Sequence, residues 1–245
     1  MLGLGSGISP TLVDMHDQKS LNFDGDDQYV DVDVITNNID PDEFTISVWF
    51  KFGGAVTSGR HIFRAQVNDG TTNNLIQLFY HASANDMRFV QTRGGTANLA
   101  DSAGSIVAME TDRAWHHAVG TIDNSASEIK FYLDGTLKET TTLEGTHSGT
   151  YAIADIGQNT QGGNYWYGNL NDIAIYDAVI DASQVTAIYN GGKPNDVISA
   201  AGMTRTPIIY YRFETNLSTA MNSGTAGTGE NGTLVNTPVR QHDTP

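Results

Sequence analysis

Trp115-His116-His117 is where side chains of this sequence could first do acid–base or metal chemistry. Imidazole titrates near neutrality and binds metals through either ring nitrogen. Successive strand residues point to opposite faces, however, so His116 and His117 cannot close on one ion as two histidines a helical turn apart can. The segment reads as a strand with Trp115 in the core and one histidine satisfying a hydrogen bond. Carboxylates offer a second chemistry. Retaining glycoside hydrolysis needs two of them about 5 Å apart across a groove. Glu43, Glu110, Glu128, Glu139 and Glu144 are scattered, and Asp24-Gly-Asp-Asp27 reads as a turn. No Gly-x-Ser-x-Gly elbow, phosphate-binding loop or EF-hand calcium loop occurs.

Binding chemistry is better represented than catalysis. In Gln161-Gly-Gly-Asn-Tyr-Trp-Tyr167 the candidate ligand-binding residues are Asn164, Tyr165, Trp166 and Tyr167. Their rings could stack on a sugar face while Asn164 and Gln158 supply hydrogen bonds. The alternative is that the segment begins a strand with Trp166 packed beneath it. Arg60, Arg64, Arg88 and Arg93 either line a face for an anionic glycan or stand singly in solvent.

The composition narrows the partners. Thirteen basic against 28 acidic residues give a net charge of −15, the wrong sign for nucleic acid. The same carboxylates suit hard cations such as Ca²⁺. With no cysteine, disulfides and thiolate metal sites are excluded. No stretch approaches the roughly 20 apolar residues of a membrane span, so no membrane insertion is expected. The start, Met1-Leu-Gly-Leu-Gly-Ser-Gly, lacks the basic and apolar regions of a signal peptide. The chain is therefore expected to stay where it is made unless something else releases it.

The elements that must position these residues are strands. Residues 1–17 read as an N-terminal arm, and 18–245 as one domain. Leu21 and Phe23, then Tyr29, Val30, Val32 and Val34, alternate on either side of the Asp24–Asp27 turn. Phe44, Ile46, Val48 and Phe50 share one face of the next strand, expected to be its one strongly buried face. Strands follow at 75–80, 87–91, 115–122 and 128–133, and Asp134-Gly135 is a two-residue hairpin turn. One short helix is expected over 181–190, with Asp181 and Gln184 as a capping box and Gly191 as the left-handed C-cap. Residues 207–239 contain two more strand patterns, expected to fold back as edge strands of the same domain or to pair with a neighbouring subunit.

Phe23-Asp-Gly25, Phe44–Phe50, Trp115-His-His117, Tyr132-Leu-Asp-Gly135 and Asp172–Tyr176 occur in the order that resembles the laminin-G-like, concanavalin A-like jelly-roll family. The resemblance covers about 18–192 and, out of order, 207–239. It implies an all-β, two-sheet antiparallel sandwich. It also implies structural Ca²⁺ at Asp24 and Asp172, whose alternative roles are an Asx turn and a strand cap. The Glu-x-Asp-x-x-Glu strand of glycosidases on this fold is missing, so a non-enzymatic module is expected. The chain looks like structural proteins of marine bacteriophages. That implies a capsid decoration or tail appendage, made in the host cytoplasm, homo-oligomeric, touching other virion proteins or copies of itself and binding surface glycans. The alternative is an extracellular or cell-surface bacterial carbohydrate-binding module; a glycoside hydrolase is a third reading.

Overall fold

The computed structural model describes residues 19–102, 109–214 and 218–245; the expected arm at 1–17 lies outside them. In chain order the strands are β1 (Ser20–Asp24), β2 (Tyr29–Asp31), β3 (Glu43–Phe52), β4 (Arg60–Gln66), β5 (Leu75–His81), β6 (Asp86–Arg93), β7 (Thr96–Asp101) and β8 (His116–Asp123). They continue as β9 (Glu128–Leu133), β10 (Thr136–Thr142), β11 (Ile153–Ile156), β12 (Tyr167–Tyr176), β13 (Ile209–Tyr211), β14 (Thr219–Ala220), β15 (Gly232–Val235) and β16 (Val239–Gln241). Helix α1 spans Met109–Asp112 and α2 spans Ala182–Tyr189.

The strands form two eight-stranded antiparallel sheets, the all-β sandwich expected from the alternation. The first runs β10-β9-β8-β3-β12-β1-β16, with β13 also paired to β12. The second runs β14-β15-β2-β11-β4-β5-β6-β7. The Asp24–Asp27 turn therefore makes no hairpin: β1 pairs with β12 in one sheet and β2 with β11 in the other. Between the sheets the facing side chains form one core, with Phe44 stacked between Phe63 and Phe89 at centroid distances of 6.2 and 6.4 Å. Asp134 and Gly135 both take positive φ, 49° and 71°, as a two-residue hairpin turn between right-twisted strands requires.

The first sheet departs from the expectation of one buried face. Every residue of β3 from Phe44 to Phe50 is buried. Helix α2 covers the outer side and packs Val185 and Ile188 into a second core with Val119, Tyr132, Ala174, Tyr176 and Tyr210. Its capping box is present as expected, Asp181 accepting from Gln184 N and Gln184 Oε1 from Asp181 N. The left-handed C-cap is Asn190, φ 46°, one residue before Gly191.

Trp115 corrects an expectation. It is half-buried at the sheet margin, where Nε1 donates to Asp243 Oδ1 at 3.1 Å. The same carboxylate pairs with Lys51 at 2.9 Å. Trp49 and Trp166 are the buried indoles.

The C-terminal segment pairs within the same chain. β13 extends the β12 edge that β1 occupies farther along, β15 pairs with β2, and β16 with β1. Ile209, Tyr210, Tyr211 and Phe213 are all buried. Truncation after Pro194 would bare β12 at 173–175 and open both cores. The truncated chain is expected to aggregate or lose cooperative melting, read by size exclusion and a thermal scan. A monomer as stable as the whole chain would show that the tail is merely appended.

Candidate functional site

With the outer side of the first sheet occupied, the outer side of the second is where strand-borne groups reach solvent. Its composition follows from period two. On β5, Ile76, Leu78 and Tyr80 enter the core, so Leu75, Gln77, Phe79 and His81 take the other face. On β6 the core takes Met87 and Phe89, leaving Arg88, Val90 and Thr92 outward. Register aligns Arg64, Gln77, Val90 and Leu99 across four strands, and Gln66, Leu75, Thr92 and Ala97 in the next row.

Two features of this face could hold a ligand. One is an aromatic platform. His61 lies parallel to Phe79 at 5.0 Å, with an 11° interplanar angle, and His81 meets Phe79 edge-on at 6.2 Å. Gln77 joins the platform through Oε1, 3.2 Å from His61 Nε2. Burial lowers the His61 pKa to about 4, so the ring is neutral at pH 7 and Nε2 donates to that carbonyl. The other is a groove of about 380 Å³ beside the platform, with Arg64, Leu75, Gln77, Thr92 and Ala97 on the strands and Thr72, Asn73 and Gly95 in the bordering turns. A larger groove of about 590 Å³ lies at one end of the sandwich, among Asn37–Pro41, His147–Tyr151, Asp177 and Ile208. It is built mostly from loops and brings two carboxylates, Asp40 and Asp177, to its walls. The groove on the strands is walled mostly by strand residues and includes Arg64, and we take it with the platform as the candidate site.

The arginines separate by partner. Arg88 pairs with Asp86 at 2.8 Å and Arg93 with Asp42 at 2.6 Å. Arg60 donates to the carbonyls of Gly25 and Tyr165. Arg64 is 8% exposed, and its Nε and Nη2 donate to Gln66 Oε1 at 3.1 and 2.8 Å. It makes no ion pair among the described residues.

The loop before β12 borders this face, but not as expected. Asn164 is exposed, and its carbonyl accepts from His61 N at 2.8 Å. Tyr165 is half-buried, joined to Arg60 by its carbonyl. Trp166 corrects the ligand expectation: it is fully buried against Phe52 at 4.8 Å and Phe50 at 5.8 Å, so no sugar can reach its ring. Tyr167 lies half-buried over Gly53 and Gly54, and its carbonyl accepts from Gly53 N. Alternation into β12 dictates this: Trp166 turns inward as the strand begins.

The expected Ca²⁺ pair does not fit one ion. Asp24 lies opposite Tyr167, five positions before Asp172, a separation of roughly 16 Å along a strand. Asp24 is exposed and accepts from Asp26 N at 2.9 Å, an Asx turn. Asp172 is 2% exposed, sits at the β12 bulge with φ 45°, and accepts from Tyr210 Oη at 2.8 Å. No three histidine or acidic side chains gather into a metal-holding group among the described residues.

The two adjacent histidines do point apart. His116 bonds Asp134 and Asp112; burial opposes its protonation, but those carboxylates outweigh it and raise the pKa. His117 lies against Trp49 and Tyr189, with Nε2 2.8 Å from Ser47 Oγ, and its burial lowers the pKa to about 4.

Sequence reasoning missed His61, Gln77, Phe79 and Asp155. A signal was present in Leu75-Ile-Gln-Leu-Phe-Tyr80, where large apolar residues fall on both faces. Asp155 is the cross-strand neighbour of both Arg64 and Asp31. Burial, then the charges of Asp33 and Asp31, push its pKa to about 7, against a bond to Gln158.

The two-sheet antiparallel sandwich is a concanavalin A-like jelly roll. The chain belongs to the Concanavalin A-like lectin/glucanases superfamily, whose laminin G profile matches residues 24–186. No curated protein matches it in sequence. Among solved structures it resembles the Ruminococcus gnavus IT-sialidase CBM40 (11% identity, 71% of this chain and 97% of that one, TM-score 0.59), a domain also solved bound to α2,6 sialyllactose. It also resembles the Limulus polyphemus SAP-like pentraxin (16%, 76% and 90%, TM-score 0.51). A third is domain 4 of the Geobacillus stearothermophilus arabinanase AbnA in complex with arabinotriose (18%, 68% and 74%, TM-score 0.52). At these identities the likeness is one of fold.

Asp155 gives a prediction with a definite sign. The folded chain holds its proton more tightly than the unfolded one, from an ordinary 3.8 up to about 7. Its contribution to stability therefore falls as pH rises through that window, and the cost is complete above it. Asp155→Asn is expected to stabilise the protein by about 1 kcal/mol or more at pH 8, roughly 2–4 °C in Tm for a domain of this size. At pH 3.5 the gain should vanish. Equal effects at both pH values in thermal melts would refute the assignment.

Proposed function

We propose that this chain is a non-catalytic glycan-binding module that holds a saccharide on the outer face of its second sheet. The observation behind this is the Phe79 ring, backed by the buried His61, beside Gln77 and the Arg64 groove. A sugar ring offers an apolar face to an aromatic ring and a rim of hydroxyls to fixed polar groups, and both kinds of partner stand here on strands. Two structural neighbours solved with saccharides bound support the reading by analogy of fold. Against catalysis stands the employment of the nearest carboxylates. Asp31 accepts from Asp33 N, Asp33 from Ala154 N, and Asp155 is 4% exposed and bonded to Gln158. None of them lines the groove.

The setting is the finer part of the proposal: a virion component contacting other virion proteins or further copies of itself, supported by the resemblance to marine phage structural proteins. An extracellular or cell-surface module is the other setting. Mass spectrometry of purified particles separates the two.

A glycan array followed by calorimetry tests the binding. Phe79→Ala is expected to weaken the best ligand about fivefold or more, the scale of one lost ring contact, with the fold retained by circular dichroism. Unchanged affinity would remove the platform from the site. Turnover of a polysaccharide, abolished by one Asp or Glu substitution, would overturn the non-catalytic reading.

A further inference from the structure

Among the described residues, Arg64 is a buried cation without an ion-pair partner, in a strongly acidic chain. Taking a guanidinium out of water costs free energy that a protein ordinarily recovers with a carboxylate. Arg93, equally buried, has Asp42, and Arg88 has Asp86. Arg64 has only the neutral Gln66 among the described residues, through Nε and Nη2. A guanidinium carries five N–H donors in a planar fork, so Gln66 leaves the Nη1 edge to the groove that Arg64 lines. Although the chain is rich in carboxylates, none of those among the described residues lines that groove. Its other polar groups are the neutral Asn73, Thr72, Thr92 and Gln77, and its floor includes Leu75 and Ala97.

Resting on the glycan reading above, we infer that the saccharide held here is acidic, and that its carboxylate pairs with the Nη1 edge of Arg64 while its ring lies toward Phe79. Guanidinium and carboxylate are matched in plane and spacing. Asn73 and Thr92 are placed to take hydroxyls beside it. Sialic acids and uronic acids both supply such a group, and the probes below distinguish them.

The test titrates the full chain with two matched pairs, sialyllactose against lactose and trigalacturonate against its methyl ester, in low and high salt. In at least one pair the carboxylate-bearing member is expected to bind about tenfold tighter or more, the scale of a hydrogen bond to a charged group. Salt should reduce the difference, and Arg64→Gln should abolish it. The pair that responds identifies the source. The wild-type comparison stands even where Arg64→Gln fails to fold. Equal binding of both members overturns the inference, and so does a preference that survives in a folded Arg64→Gln protein. Preference for sulfated lactose over sialyllactose overturns the carboxylate. Neutral members bound with Phe79 dependence, and no preference for charge, sink this inference and spare the glycan reading. No binding of any saccharide sinks both.

Discussion

Burial of the central strands of the first sheet on both faces is the constraint on which the rest of the molecule depends. β12 is buried from Gly168 to Tyr176, with β3 along one edge and β1 and β13 sharing the other. A strand so enclosed cannot present a ligand site. α2, docked through Val185 and Ile188, and β13, bringing Tyr210, close the outer side. What remains for recognition is the outer side of the second sheet. There β5 and β6 leave Phe79, Gln77 and Thr92 in contact with solvent.

Much of this was legible in the alternation of side chains. The strand positions of Phe44–Phe50 and Leu75–Tyr80, the Asp134-Gly135 turn and the Asp181–Gln184 cap are local features, fixed by φ/ψ preference and by short-range hydrogen bonds. What local pattern cannot encode is which sheet a strand joins. β1 and β2 flank four turn residues, yet they join different sheets because β12 and β11 claim their edges. The indoles illustrate the same limit. Trp115, expected inside, lies at the margin on Asp243, while Trp166, expected on a ligand, fills the core beside Phe50 and Phe52. For Trp166 the strand-entry alternation had offered burial as the alternative; for Trp115 the neighbours gave no sign, since its partner Asp243 lies more than a hundred residues away.

The candidate site shows why residue type alone misled. Four arginines looked equivalent in sequence, but carboxylates neutralise Arg88 and Arg93, and backbone carbonyls hold Arg60. Only Arg64 keeps a charge facing a groove without an acidic wall. His116 and His117, prominent as a motif, divide between an ion-paired margin and a buried stack with Trp49 and Tyr189. Asp24 and Asp172, paired by resemblance, serve separate places: Asp24 an Asx turn, Asp172 the β12 bulge and the Tyr210 hydroxyl.

The C-terminal strands tie the far flank of the second sheet to the face that carries the candidate site. β15 pairs with β2, β2 with β11, and β11 with β4, which carries His61 and Arg64. Gly157 N and Trp166 N extend that connection, donating to Ile62 O and Gly157 O, so the loop bearing Asn164 and Tyr165 is held between β4 and the start of β12. A platform for a rigid ring gains affinity when its groups are fixed before the ligand arrives, since less ordering is left to offset on binding. The tail sits far from the groove along the sheet, yet it pairs the strand that flanks β11 and caps the edge of β12. Its sequence therefore bears on recognition through the rigidity of the sheet rather than through contact with the ligand.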